Sequence, residues 1–116
     1  MSGRLPKHLD DAAHAVRLAL RFTADCSLDN YRADELRRSA VERQVEIVGE
    51  ACRRALSDTP DLRDRVSAMV LAVAMRNRVA RGYDTVDDAI VFETVTTRFA
   101  ELLEGLDREL ARFRPG

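Results

Sequence analysis

Four blocks of helical hydrophobic period, separated by short polar breaks, constrain this chain more than any other feature of its sequence. Apolar residues recurring every three or four positions line one side of an α-helix, whereas a half-buried strand needs strict alternation. The first block follows Pro6, a residue well suited to a helix start, and runs to about Asp25. Its apolar side is Leu9, Ala13, Val16 and Leu20, with Phe22 nearby. Cys26 to Asn30 reads as a loop. A second helix is predicted from about Arg32 to Leu56, with Leu36, Ala40, Val41, Val45, Val48, Cys52, Ala55 and Leu56 on its stripe. Gly49 interrupts it, and a Gly inside a helix costs about 1 kcal/mol relative to Ala, so its presence predicts a second backbone packed against that point.

Pro60 marks the next break, and the third block spans about Leu62 to Arg81. Val66, Met69, Val70, Val73 and Ala74 are its expected core face, and Gly82 suits a left-handed helix end. The fourth helix is expected to open with Thr85 as N-cap, with Asp87 and Asp88 in its first turn, where negative charge suits the helix dipole. Ile90, Val95, Phe99, Leu102, Leu106, Leu110 and Phe113 give it a regular spacing, and it should end before Arg114. Four amphipathic helices on short connections predict an all-α, up-and-down four-helix bundle. The length of 116 residues predicts one domain over residues 1–116.

Composition excludes several function classes. Nineteen basic residues against 20 acidic ones leave a formal net charge of −1, so no global attraction to nucleic acid follows; a local basic cleft remains compatible with that balance. Every basic residue except Lys7 is Arg, the side chain built for fixed-geometry contacts with carboxylate or phosphate. Cys26 and Cys52 are too few for a disulfide framework or a zinc site, and both are expected to stay reduced, Cys52 in the core. No apolar run approaches the ~18 residues of a membrane span, and the start of the chain lacks an apolar signal segment, so a cytoplasmic protein is expected. There is no phosphate-cradling glycine loop. His8 and His14 lie six apart and are expected on different faces, and Glu46 with Glu50 at i, i+4 reads as helix surface, so no metal and no cofactor is predicted.

The stretch Arg76-Asn77-Arg78-Val79-Ala80-Arg81-Gly82-Tyr83 carries most of the functional information. It resembles the R-N-x-x-x-H-G-Y signature of HepT-type toxins of the HEPN ribonuclease superfamily, matching at Arg76, Asn77, Gly82 and Tyr83. Val45-Glu46-Ile47-Val48-Gly49-Glu50-Ala51 is similar to the family's L-E-x-I-G-E-A run. Tyr83-Asp84-Thr85-Val86-Asp87 is similar to its Tyr-x-x-Val-Asp step into the last helix, and Lys7-His8-Leu9 weakly resembles the start of its first. The resemblance implies a HEPN-like bundle and a metal-independent endoribonuclease toxin that acts as a homodimer on RNA. It implies a minimal nucleotidyltransferase (MNT) antitoxin as partner, which can attach AMP to the motif tyrosine, here Tyr83. It also implies catalytic roles for Arg76, Asn77 and position 81.

Arg81 stands where the family has His. RNA is cut without metal when its 2′-OH attacks the adjacent phosphate, and an imidazole suits the proton transfer while a guanidinium stabilises the developing charge. A guanidinium stays protonated near neutral pH and cannot act as that base, so an impaired ribonuclease is expected. Positions 76 and 81 also fall about 140° apart around a regular helix at ~100° per residue, which makes them poor partners on one face, a requirement that the shared cleft of two copies implied by the resemblance relaxes. Two other readings stay open: a non-enzymatic helical module that binds RNA or protein, and an accessory subunit of a nucleotidyltransferase.

Overall fold

The computed structural model describes residues 4–80 and 87–113. Among them are six helices and no strand: α1 (Leu5–Thr23), α2 (Leu28–Ala33), α3 (Glu35–Asp58), α4 (Leu62–Arg65), α5 (Ala68–Ala80) and α6 (Asp88–Ala111). Four are long, and α1, α3, α5 and α6 pack around one core in that cyclic order, each against its neighbours. Their directions alternate. Arg21 and Phe22 of α1 meet Arg37 and Ala40 of α3, while His8 lies against Ser57 and Asp58, so these two run antiparallel. Thr94 of α6 bonds the Met75 sulfur, while Gly105 packs on Val66 just before α5, so that pair is antiparallel too. The chain therefore forms the expected up-and-down bundle, with two short helices added to its connections.

Both additions have local causes. The segment read as a loop closes into α2 because Ser27 is extended and its hydroxyl accepts from the Asn30 N–H. Asp34 is extended as well and caps α3 by accepting from Arg37 N–H, so the predicted second helix begins at Glu35 and not at Arg32. Before α2, Asp25 takes a left-handed backbone (φ 56°), a conformation Asp tolerates better than most residues. The predicted third helix is likewise split, because Val66 leaves helical geometry between α4 and α5. Asp87 caps α6 by accepting from the N–H groups of Ala89 and Ile90. That places Asp87 outside the first turn; Thr85, the predicted cap, lies outside the described residues.

The core is aliphatic, with Leu9, Val16, Val41, Val45, Val48, Met69, Phe99, Leu102 and Leu106 fully buried. Four expected core residues are exposed instead, Ala74 among them. Leu36 is 82% exposed on the first turn of α3, Ile90 is 37% exposed while its neighbour Val91 is buried, and Val70 is 40% exposed. The last case reflects α5 as a whole: Ala68-Met69-Val70-Leu71-Ala72-Val73-Ala74-Met75 is apolar all round, so periodicity cannot choose its inner face. Packing against α3 turns Met69, Ala72, Met75 and Val79 inward and leaves Val70 and Ala74 outside. Glu109 is the one buried acidic residue among the described residues, clamped by Arg65 (Nε to Oε2 3.2 Å) and Arg112 (Nη1 to Oε1 3.2 Å).

Candidate functional site

Gly49 determines where α5 crosses α3. A Cβ at that position would lie 2.1 Å from the Arg76 Cβ and 2.9 Å from the Ala72 carbonyl oxygen. Carbon atoms in ordinary contact stand about 3.5–4.0 Å apart, so only glycine admits this approach. The close packing expected at Gly49 is thus present, and the residue pressed against it is Arg76, the first residue of the signature stretch.

The next residue, Glu50, then stands beside Arg76, with Oε1 3.7 Å from Nη2. The same carboxylate accepts from Arg53 through Nε (2.9 Å) and Nη2 (3.0 Å), and from Arg54 Nε (2.9 Å). The Arg53 hydrogen bonds, with those of Arg54, hold the Glu50 carboxyl at about 2 against the opposing pull of burial. Glu50 is therefore ionised at neutral pH, and three guanidinium groups gather around one carboxylate. The pattern read as plain helix surface is the anchor of this cluster. Its contacts to Arg53 and Arg54 follow from i, i+3 and i, i+4 spacing. The contact to Arg76 is tertiary and has no sequence signal beyond the glycine. Arg76 also donates to the Asn77 amide oxygen (Nη1 to Oδ1 3.4 Å).

The cluster opens into a groove of about 530 Å³ whose floor is α3. His8, Asp11 and His14 of α1 form one wall, Arg76 of α5 stands on the other, and Arg43, Glu46, Glu50 and Arg54 rise from α3. His8 and His14, expected on different faces of α1, both reach this wide groove. Each step of three residues drifts only about 60° around a helix, so residues 8, 11 and 14 fan across an arc that a wide groove receives. No group of three or more His, Cys, Asp or Glu among the described residues is arranged to hold a metal ion. Cys26 and Cys52 are both free, and burial pushes the Cys52 thiol to about 12, where it is inert.

Asn77 faces elsewhere. With Leu56, Val70, Val73 and Ala74 it lines a shallow apolar hollow flanked by Arg53 and Arg63. Adjacent motif residues thus serve two surfaces, the groove at Arg76 and the hollow at Asn77. Arg81 and Tyr83 lie outside the described residues, as does Gly82, so the structure does not place them relative to Arg76.

A family model described as ribonuclease HepT-like matches residues 12–109. The chain belongs to the HepT-like ribonuclease family. Its similarity to a "probable ribonuclease HepT" of Thermococcus cleftensis is 30% identity over 88 residues, covering 76% of this chain and 79% of that protein. No solved structure matches the chain. The span matched by the HepT-like family model contains both the Gly49-Glu50-Ala51 run and Arg76, which the fold packs together. No helix among the described residues is long and apolar enough to cross a membrane.

Proposed function

We propose that this chain is the ribonuclease toxin of a toxin–antitoxin pair: a cytoplasmic, metal-independent endoribonuclease, homodimeric, and impaired by Arg81. The observation that carries the proposal is the seating of Arg76. Its root is locked by Gly49, its guanidinium is steadied by Glu50, and it faces a groove with further Arg side chains. A guanidinium so held suits a phosphodiester whose negative charge grows in the transition state. Asn77 orients that guanidinium through its side-chain oxygen. The hollow of Leu56, Val70, Val73 and Ala74 supports the dimer, since α5 has a second apolar face that a partner copy would cover. The antitoxin is a nucleotidyltransferase of the MNT type, and Tyr83 is the hydroxyl to which it transfers AMP. This partner and this role rest on the Arg-Gly-Tyr end of the signature stretch.

The test is growth arrest in cells that lack the antitoxin. Arg81→His is expected to arrest growth far more strongly than the parent chain, and adding Arg76→Ala is expected to abolish the arrest. The absence of arrest in every form would instead support a non-enzymatic binding module, the reading that Arg81 itself favours.

A further inference from the structure

Replacing His by Arg at position 81 removes the base from the signature but leaves two imidazoles in the groove that Arg76 faces. Antiparallel packing sets their register against α3. His8 lies at the level of Arg54, Ser57 and Asp58, while Phe22 at the other end of α1 lies at the level of Ala40. His14, between them, falls level with Gly49 and Glu50, where Arg76 is seated. His8 is six residues away, about 9 Å along the helix axis, too far to serve the same phosphate. His14 is exposed and has no hydrogen-bond or ion-pair partner among the described residues. Its ring is free to meet a ligand in the groove.

We infer that His14 accepts the 2′-hydroxyl proton when this chain cleaves RNA, with Arg76 across the groove holding the phosphate. The inference rests on the ribonuclease reading above and goes beyond it by moving the base from the signature stretch to α1. In the step, the 2′-oxygen forms its bond to phosphorus and its proton passes to the His14 ring. The bond from phosphorus to the 5′-oxygen breaks, and that oxygen takes a proton from water in the open groove. The products are a 2′,3′-cyclic phosphate and a 5′-hydroxyl end. An imidazole serves such a transfer because its protonation changes near neutral pH. The other charged side chains that line the groove are the carboxylates Asp11, Glu46 and Glu50 and the guanidinium groups Arg43, Arg54 and Arg76.

The experiment compares four full-length proteins on a labelled single-stranded RNA in excess chelator: the parent chain, His14→Gln, Arg81→His, and the double variant. The parent is expected to cleave slowly and His14→Gln to lose about 10²–10⁴-fold of that rate, the usual worth of a positioned acid or base. The double variant is expected to recover activity, because the restored signature His supplies the base; this also shows that His14→Gln folds. Unchanged cleavage by His14→Gln overturns the inference and leaves the ribonuclease reading intact. So does an inactive parent beside an active Arg81→His. If neither the parent nor Arg81→His cleaves, the ribonuclease reading itself fails.

Discussion

Gly49→Ala tests the contact on which the site depends. The added methyl would meet the Arg76 Cβ at 2.1 Å and both the Ala72 carbonyl and the Arg76 Cγ at 2.9 Å. None of these atoms is the loose end of a side chain, so α5 must withdraw by roughly 1.5 Å to restore ordinary contact. Forced overpacking of this kind costs about 1–3 kcal/mol, and three simultaneous clashes put this case near the top of that range. Ala returns about 1 kcal/mol through its better helix propensity, leaving a net loss of about 2 kcal/mol. At an unfolding entropy of about 2.1 cal/mol/K per residue, each kcal/mol is worth about 4 °C for a chain of this length, so Tm should fall by about 8 °C. Thermal unfolding followed by circular dichroism reads this directly. A Tm that rises by about 4 °C, as for a solvent-facing helical glycine, would falsify the proposed close approach of α5 to α3.

Gly105→Ala is the natural comparison. Its Cβ would meet only Val66 side-chain atoms, Cγ1 at 2.6 Å, and a turn of that side chain relieves the clash, so the Tm loss should be less than half that of Gly49→Ala. Glu109→Gln should cost about 1–3 kcal/mol at pH 7, because the Arg65 and Arg112 guanidinium groups lose a charged partner. Burial raises the Glu109 carboxyl, but the hydrogen bonds of Arg65 and then Arg112 outweigh it and leave a net depression. A depressed carboxyl stabilises the fold above its unfolded value of about 4.3 and loses that contribution as pH falls through the folded value. Urea midpoints of parent and Glu109→Gln should therefore converge in acid and diverge above about pH 5. Tyr31→Phe should raise the urea midpoint, by up to about 1 kcal/mol of stability. The Tyr31 hydroxyl is buried without a hydrogen-bond partner among the described residues, and an unmatched buried hydroxyl carries a desolvation penalty. A fall in the midpoint would mean that this hydroxyl is satisfied after all.

The sequence made the bundle legible because the apolar stripes of α1, α3 and α6 each have a single face. Val16, Val45, Val95, Phe99 and Leu102 are where their spacing puts them. It was ambiguous for α5, whose residues are apolar on every side, so only packing against α3 could select Met69 and Ala72 over Val70 and Ala74. The breaks at Asp34 and Val66 were missed for different reasons. Asp34 is a recognisable N-cap, whereas Val66 is an apolar residue that fits a helical stripe, so its side chain gives no sign of the break. At the site, Gly49 announced a close approach but not its partner. That Glu50 gathers Arg53 and Arg54 was readable from spacing; that it also meets Arg76 was not, since residues 50 and 76 come together only when two helices cross. His14 was passed over for the same reason: its register against Glu50 exists only once α1 and α3 are paired.

Of the four long helices, one takes no part in the groove. Every residue lining it comes from α1, α3 or α5, although α6 packs against both α1 and α5. The bundle thus separates two kinds of freedom. Changes on α1, α3 and α5 alter what the groove can hold, while the exposed side of α6, with Glu93, Thr97, Arg98 and Glu101, is open to sequence drift at little chemical consequence. A fluorophore or a fusion partner attached there would report on the protein while leaving the groove itself clear.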